Sequence, residues 1–134
     1  MRLVLAAALL ALAGCGFNPE AAELDCQRRL VAMVERLPSG ERGYDDTFTT
    51  AHQRLSTMPR DGCTPVQRDT ADALEALSVR LASAAVRIAE ARPGLWPEPS
   101  PRTRQAIAEF ERLIPQFERA RVALIAELRR MEAR

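Results

Sequence analysis

The chain has a single histidine, His52, with Ser56 one helical turn away and Asp45 and Asp46 a few residues upstream. A histidine that takes a proton from a serine, oriented in turn by a carboxylate, is the machinery of acyl transfer. The residue types of a small hydrolase are therefore present. Their setting is not, because no glycine-flanked serine sits on a sharp strand-to-helix turn to present a nucleophile. Ser56 falls instead on a predicted helix surface, so the expectation is a structural His52 and a chain that is not an enzyme. A small hydrolase using His52 is the alternative.

Metal and cofactor chemistry find less support. A zinc site wants four ligands, and Cys26, Cys63 and His52 do not make four. A di-metal carboxylate bundle would need Glu-x-x-His pairs on facing helices, and the one histidine is not in such a pair. The acids Glu109, Glu118 and Glu127 lie three residues before Arg112, Arg121 and Arg130. That spacing makes surface ion pairs on a helix, each contributing a few tenths of a kcal/mol. No metal and no cofactor are expected. All 19 basic residues are arginine, which excludes Schiff-base chemistry on lysine.

The first residues read as an address. Arg2 precedes an apolar run from Leu3 to Leu12 and then small residues, the layout of an export signal. The run is too short for a permanent membrane span, which needs about 20 residues. Leu12-Ala13-Gly14-Cys15 resembles the lipobox of bacterial lipoproteins, which implies cleavage before Cys15 and acyl chains on its thiol. The expected organisation is a signal peptide over 1–14, a lipidated tether over 15–18 and a helical domain over 19–134. Gly16 is not the aspartate that marks inner-membrane retention in lipoproteins of enteric-type bacteria. In a two-membrane cell the expected location is thus the periplasmic face of the outer membrane.

Without Arg2 the remaining arginines number 19 less one, against 18 acids, so the side chains sum to zero and offer no basic footprint for nucleic acid. Cys26 and Cys63 form an even pair in a compartment that permits oxidation, and a disulfide between them is expected. Closing a loop of that span should stabilise the fold by roughly 4 kcal/mol in the chain-entropy picture.

Four helices follow from the hydrophobic spacing. Asn18-Pro19 is a cap followed by proline at the first helical position, and Cys26, Leu30, Met33 and Leu37 continue the stripe until Pro38-Ser39-Gly40 ends it. Asp46 opens a short second helix carrying Phe48, Ala51, Leu55 and Met58. Thr64-Pro65 opens a long third one with Leu74, Leu77, Leu81, Ala84, Ile88 and Ala91. Four prolines between 93 and 101 interrupt the chain, and Ser100-Pro101 starts the last helix. Its predicted seam is Ile107, Phe110, Ile114, Phe117, Arg121, Leu124, Leu128 and Met131, with a kink expected at Pro115. Arg121 either specifies register inside that seam or lies at its boundary, with Leu113, Phe117, Ala120 and Leu124 facing inward.

The fold class is all-α, an up-down-up-down four-helix bundle stapled by the disulfide. Both cysteines fall at the end nearest the tether. The third and fourth helices are about twice as long as the first and second, so the far half is either a bare hairpin or is covered by the first helix, its following loop and Tyr44. Val79, Val86 and Leu113 would there form an uncovered apolar surface, and Trp96 in the proline-rich turn would flank it. The implied partners are the membrane, through Cys15, and a protein or second copy of the chain on that hairpin. Arg129, Arg130 and Arg134 end the chain near anionic headgroups or simply suit a helix C-terminus. In architecture alone the chain is similar to pilotin lipoproteins, which grip a partner helix in a groove. The functional expectation is an interaction or assembly factor of the cell envelope.

Overall fold

The computed structural model describes residues 16–35, 47–91 and 98–134. The signal segment, Cys15, Leu37, Tyr44, Asp45, Asp46 and Trp96 lie outside the described residues. Among the described residues the structure is all-helical: α1 is Pro19–Glu35, α2 Thr47–Thr57, α3 Pro65–Glu90 and α4 Pro101–Glu132. Cap chemistry sets the starts. Asn18 Oδ1 accepts from the backbone N–H groups of Glu20 and Ala21. Thr64 and Gln67 form a reciprocal capping box ahead of α3, and Ser100 accepts from the Thr103 N–H ahead of α4. Pro115 lies inside α4, which continues as helix through it.

The helices alternate in direction around a ring in which α4 lies between α1 and α3, and α2 packs on α3. Phe48 of α2 crosses the centre to meet α4, its ring edge-on to Phe110 at 5.7 Å and to Phe117 at 5.4 Å. The α2 stripe is the predicted one, with Phe48, Ala51, Leu55 and Met58 all buried. In α1 the buried face is Cys26, Gln27, Leu30, Val31 and Val34, with Met33 at its edge. On α3 the buried line alternates large and small residues: Leu74, Ser78, Leu81, Ala85 and Ile88. Small side chains let α4 approach closely, and the Ser78 hydroxyl is satisfied by donating to the Leu74 carbonyl at 2.8 Å.

Of the two α4 seams read from the sequence, the structure has the one with Leu113, Phe117, Ala120 and Leu124 inward and Arg121 at the boundary. Thr103, Ala106, Phe110, Leu113, Phe117 and Leu124 are buried, while Ile107, Ile114, Ile125 and Leu128 are partly covered flanks. Apolar residues occupy both registers, and the line containing Ala106 permits the tighter contact with α3. Leu113 is therefore a core residue at 0% exposure, not part of an open face. The seam between α3 and α4 is packed to its far end by Ile88, Thr103 and Ala106, and the loop that could cover the outside of that end lies outside the described residues. Arg121 lies at the boundary, half-buried. It pairs with Glu118 at 3.4 Å, and its Nη1 reaches the Glu35 carbonyl at 3.5 Å. A cation there complements the negative C-terminal end of α1.

The Cys26–Cys63 disulfide is formed, with Cα atoms 5.3 Å apart. It joins α1 to the turn before α3, where Gly62 adopts φ +75°. That left-handed conformation favours glycine, and a Cβ there would stand 3.2 Å from the Ala22 Cβ. Arg29 clamps the same turn by donating to the carbonyls of Pro59 and Asp61.

Candidate functional site

Two antiparallel helices of unequal length leave part of the longer one without a neighbour. α2 has 11 residues and α3 has 26, so at 1.5 Å per residue α2 spans about 17 Å of the roughly 39 Å of α3. Along this step lies an open groove of about 380 Å³. Thr49 and His52 form its α2 wall, and Val79, Ala82, Val86 and Arg87 line its α3 side. Val79 and Val86 are 40% and 49% exposed, a heptad apart and thus on one side of the helix. Ala82 and Ser83 between them keep the floor shallow. Of the four residues expected to make a partner surface, the structure brings these two valines together. Leu113 is buried, and Trp96 is not among the described residues.

At one end of the groove a polar cluster ties α2 to α3. His52 Nδ1 stands 3.8 Å from Glu75 Oε1, and Arg60 reaches Glu75 at 3.4 Å and Asp72 at 3.0 Å. His52 Nδ1 is shielded from solvent and makes no hydrogen bond among the described residues. Ser56 donates its hydroxyl to the Gln53 carbonyl at 2.9 Å and is exposed. Among the described residues the carboxylate that meets His52 is Glu75, a tertiary neighbour invisible in sequence spacing, and the serine of the conjectured triad is engaged on its own helix. Among the described residues no group of three or more His, Cys, Asp or Glu side chains is placed to hold a metal ion. No described helix is long and apolar enough to cross a membrane.

No protein-family model, curated protein or solved structure matches this chain. Function therefore rests on the geometry and the residues themselves.

The expected ion pairs of α4 form in two of three places. Glu118 meets Arg121 and Glu127 meets Arg130, whereas Glu109 reaches across to Arg80 of α3 at 3.4 Å. Arg130 donates to both Glu127 oxygens and so holds that carboxyl below its ordinary pKa.

A second groove, of about 540 Å³, lies at the opposite end, between α1, α3 and α4. Two buried glutamines make its floor. Gln27 Nε2 donates to the Leu124 carbonyl at 3.0 Å, and Gln67 Nε2 donates to the Glu23 carbonyl at 2.9 Å and to Gln27 Oε1 at 3.2 Å. Gln67 Oε1 accepts from the Thr64 N–H at 3.0 Å. One network thus joins three helices. Sequence reading missed it because a buried glutamine looks like any surface glutamine. The one available signal was the Thr-x-x-Gln spacing of Thr64 and Gln67, the mark of a capping box.

Proposed function

We propose that this chain is a lipid-anchored factor of the cell envelope, held through Cys15 on the periplasmic face of the outer membrane, whose helical body docks a partner and performs no catalysis. The observation that carries the docking part is the exposed Val79 and Val86 pair in the groove between α2 and α3, beside the exposed Arg87. Apolar anchors at heptad spacing suit the apolar stripe of an amphipathic helix, and Arg87 favours one carrying an acid at the contact. This is a pilotin-like grip in form only, since shape does not fix function.

Anchoring is supported by the lipobox residues and by connectivity. Asn18 caps α1 three residues after Cys15, so the body is tethered closely. A non-catalytic role is supported by Ser56 bonding to its own helix while His52 faces Glu75.

The test uses the full-length gene. Metabolic labelling with an alkyne palmitate should mark the protein, and Cys15→Ser should abolish the mark and release the protein from membranes. Val79→Glu with Val86→Glu should change the chain's crosslinked partners or its oligomeric state, while His52→Ala should not alter the phenotype of the wild-type strain. If the valine substitutions leave partners and oligomeric state untouched, the docking reading fails.

A further inference from the structure

The groove between α1, α3 and α4 offers a ligand a mainly apolar trough, with the Glu23 and Glu127 carboxylates among its lining. Each amide and hydroxyl side chain lining it is engaged within the protein. Gln27 and Gln67 are used by the network already described. Thr64 Oγ1 accepts from the Gln67 N–H at 3.2 Å, and Thr70 Oγ1 donates to the Val66 carbonyl at 2.9 Å. Glu127 is held by Arg130. A ligand would find instead the buried Leu30 and Leu124 below, Ala120 and Ala123 along α4, and Val66 at the rim. Val66 is 73% exposed, an apolar side chain standing in water beside an apolar trough. The volume falls within the range of small-molecule sites, about 300–1,000 Å³.

What lies near this groove is the tether. Glu23, at its lower edge, is four residues past the start of α1 at Pro19, a rise of about 6 Å. Cys15 stands four positions before Pro19, at most about 14 Å of extended chain. The groove therefore opens on the end of the bundle from which the lipid would emerge, within reach of a long acyl chain on its glycerol linker.

We infer that this groove receives the distal part of one acyl chain of Cys15, leaving the remaining chains to the bilayer. The inference rests on the lipoprotein reading above. It does not depend on the docking groove, which lies at the other end of α3.

The experiment is metabolic labelling of cells with a diazirine-bearing palmitate, irradiation, purification of the full chain and mapping of adducts by mass spectrometry. The expected result is an intramolecular link between the lipid on the Cys15 peptide and residues 66–70 or 120–127. Ala123→Trp, which fills the trough, and Val66→Glu, which charges its rim, should each lower the yield of that link at least fivefold while Cys15 labelling stays unchanged. Labelling without links to these residues overturns the groove assignment and leaves the lipoprotein reading intact. Links carrying the mass of a free phospholipid in place of the Cys15 peptide also overturn it. Absence of label on Cys15 overturns both.

Discussion

Replacing Gln67 with alanine removes two supports at once, because its side chain caps α3 and also closes the buried network. The cap part is the lost bond from the Thr64 N–H to Gln67 Oε1, a capping-box contact. Losses of this kind cost about 1 kcal/mol. The buried part is the Gln27 Oε1 atom, which loses the donor 3.2 Å away. An orphaned buried acceptor costs about 1–3 kcal/mol. The Glu23 carbonyl suffers less, since its intrahelical bond remains. The sum is about 3 kcal/mol, a large share of the roughly 5–15 kcal/mol that holds a domain together. With a urea slope of about 2 kcal/mol per molar, the midpoint of equilibrium unfolding should fall by about 1.5 M. The control is Gln27→Met with Gln67→Met. Removing both polar ends leaves no orphan inside the glutamine pair, only the Thr64 N–H that each Gln67 variant releases, so the double variant should be distinctly more stable than the sum of the single losses. Strict additivity of the two single variants, or a midpoint shift under 0.5 M for Gln67→Ala, would refute the network as a structural element.

Four further outcomes follow from the structure. Cys26→Ala with Cys63→Ala opens a crosslink spanning 37 residues and should cost about 4 kcal/mol, read as a lowered midpoint that matches reduced wild-type protein. Gly62→Ala forces a Cβ into a left-handed conformation against Ala22 and should cost about 1–2 kcal/mol, detectable by calorimetry. Leu113→Ala should cost about 2–5 kcal/mol as a core truncation, whereas Val79→Ala, on an exposed position, should stay within about 0.5 kcal/mol; equal losses would restore the seam with Ile107 and Ile114 inward. Glu127 is held below its ordinary pKa by Arg130, so its contribution is complete above the ordinary glutamate range and is lost as pH falls through the lowered value. Arg130→Gln should move the Glu127 titration upward in a carboxyl-resolved NMR experiment, and an unmoved titration would contradict the pairing.

How far the sequence reached depended on how much each helix face offered a choice. α2 offered none: Phe48, Ala51, Leu55 and Met58 are its one coherent stripe, and all are buried. α4 offered two neighbouring stripes, and hydropathy favoured the one with Ile107 and Ile114 because isoleucine outweighs alanine and threonine. Packing chose the other, since Ala106 admits a close neighbour and Leu113 fills the space beside it. The disulfide was legible from an even pair of cysteines behind a segment that reads as an export signal. The exposure of Val79 and Val86 was legible and the burial of Leu113 was not, because exposure depends on where neighbouring helices stop and not on the residues of one helix alone. The pairing of His52 with Glu75, and the glutamine floor, arise from contacts between distant segments and leave no periodic trace.

The disulfide has a further mechanical consequence for a molecule pulled by its N-terminus. Force entering at Gly16 travels up only the first two turns of α1 before it reaches Cys26 and is handed to the turn ahead of α3. Arg29, grasping the carbonyls of Pro59 and Asp61 one turn farther on, adds a second junction at the same level. A tug on the tether therefore loads two helices side by side in shear, instead of unzipping α1 from the bundle one turn at a time. Reducing that bond should change how the body yields under a pull, from abrupt failure at high force to gradual peeling.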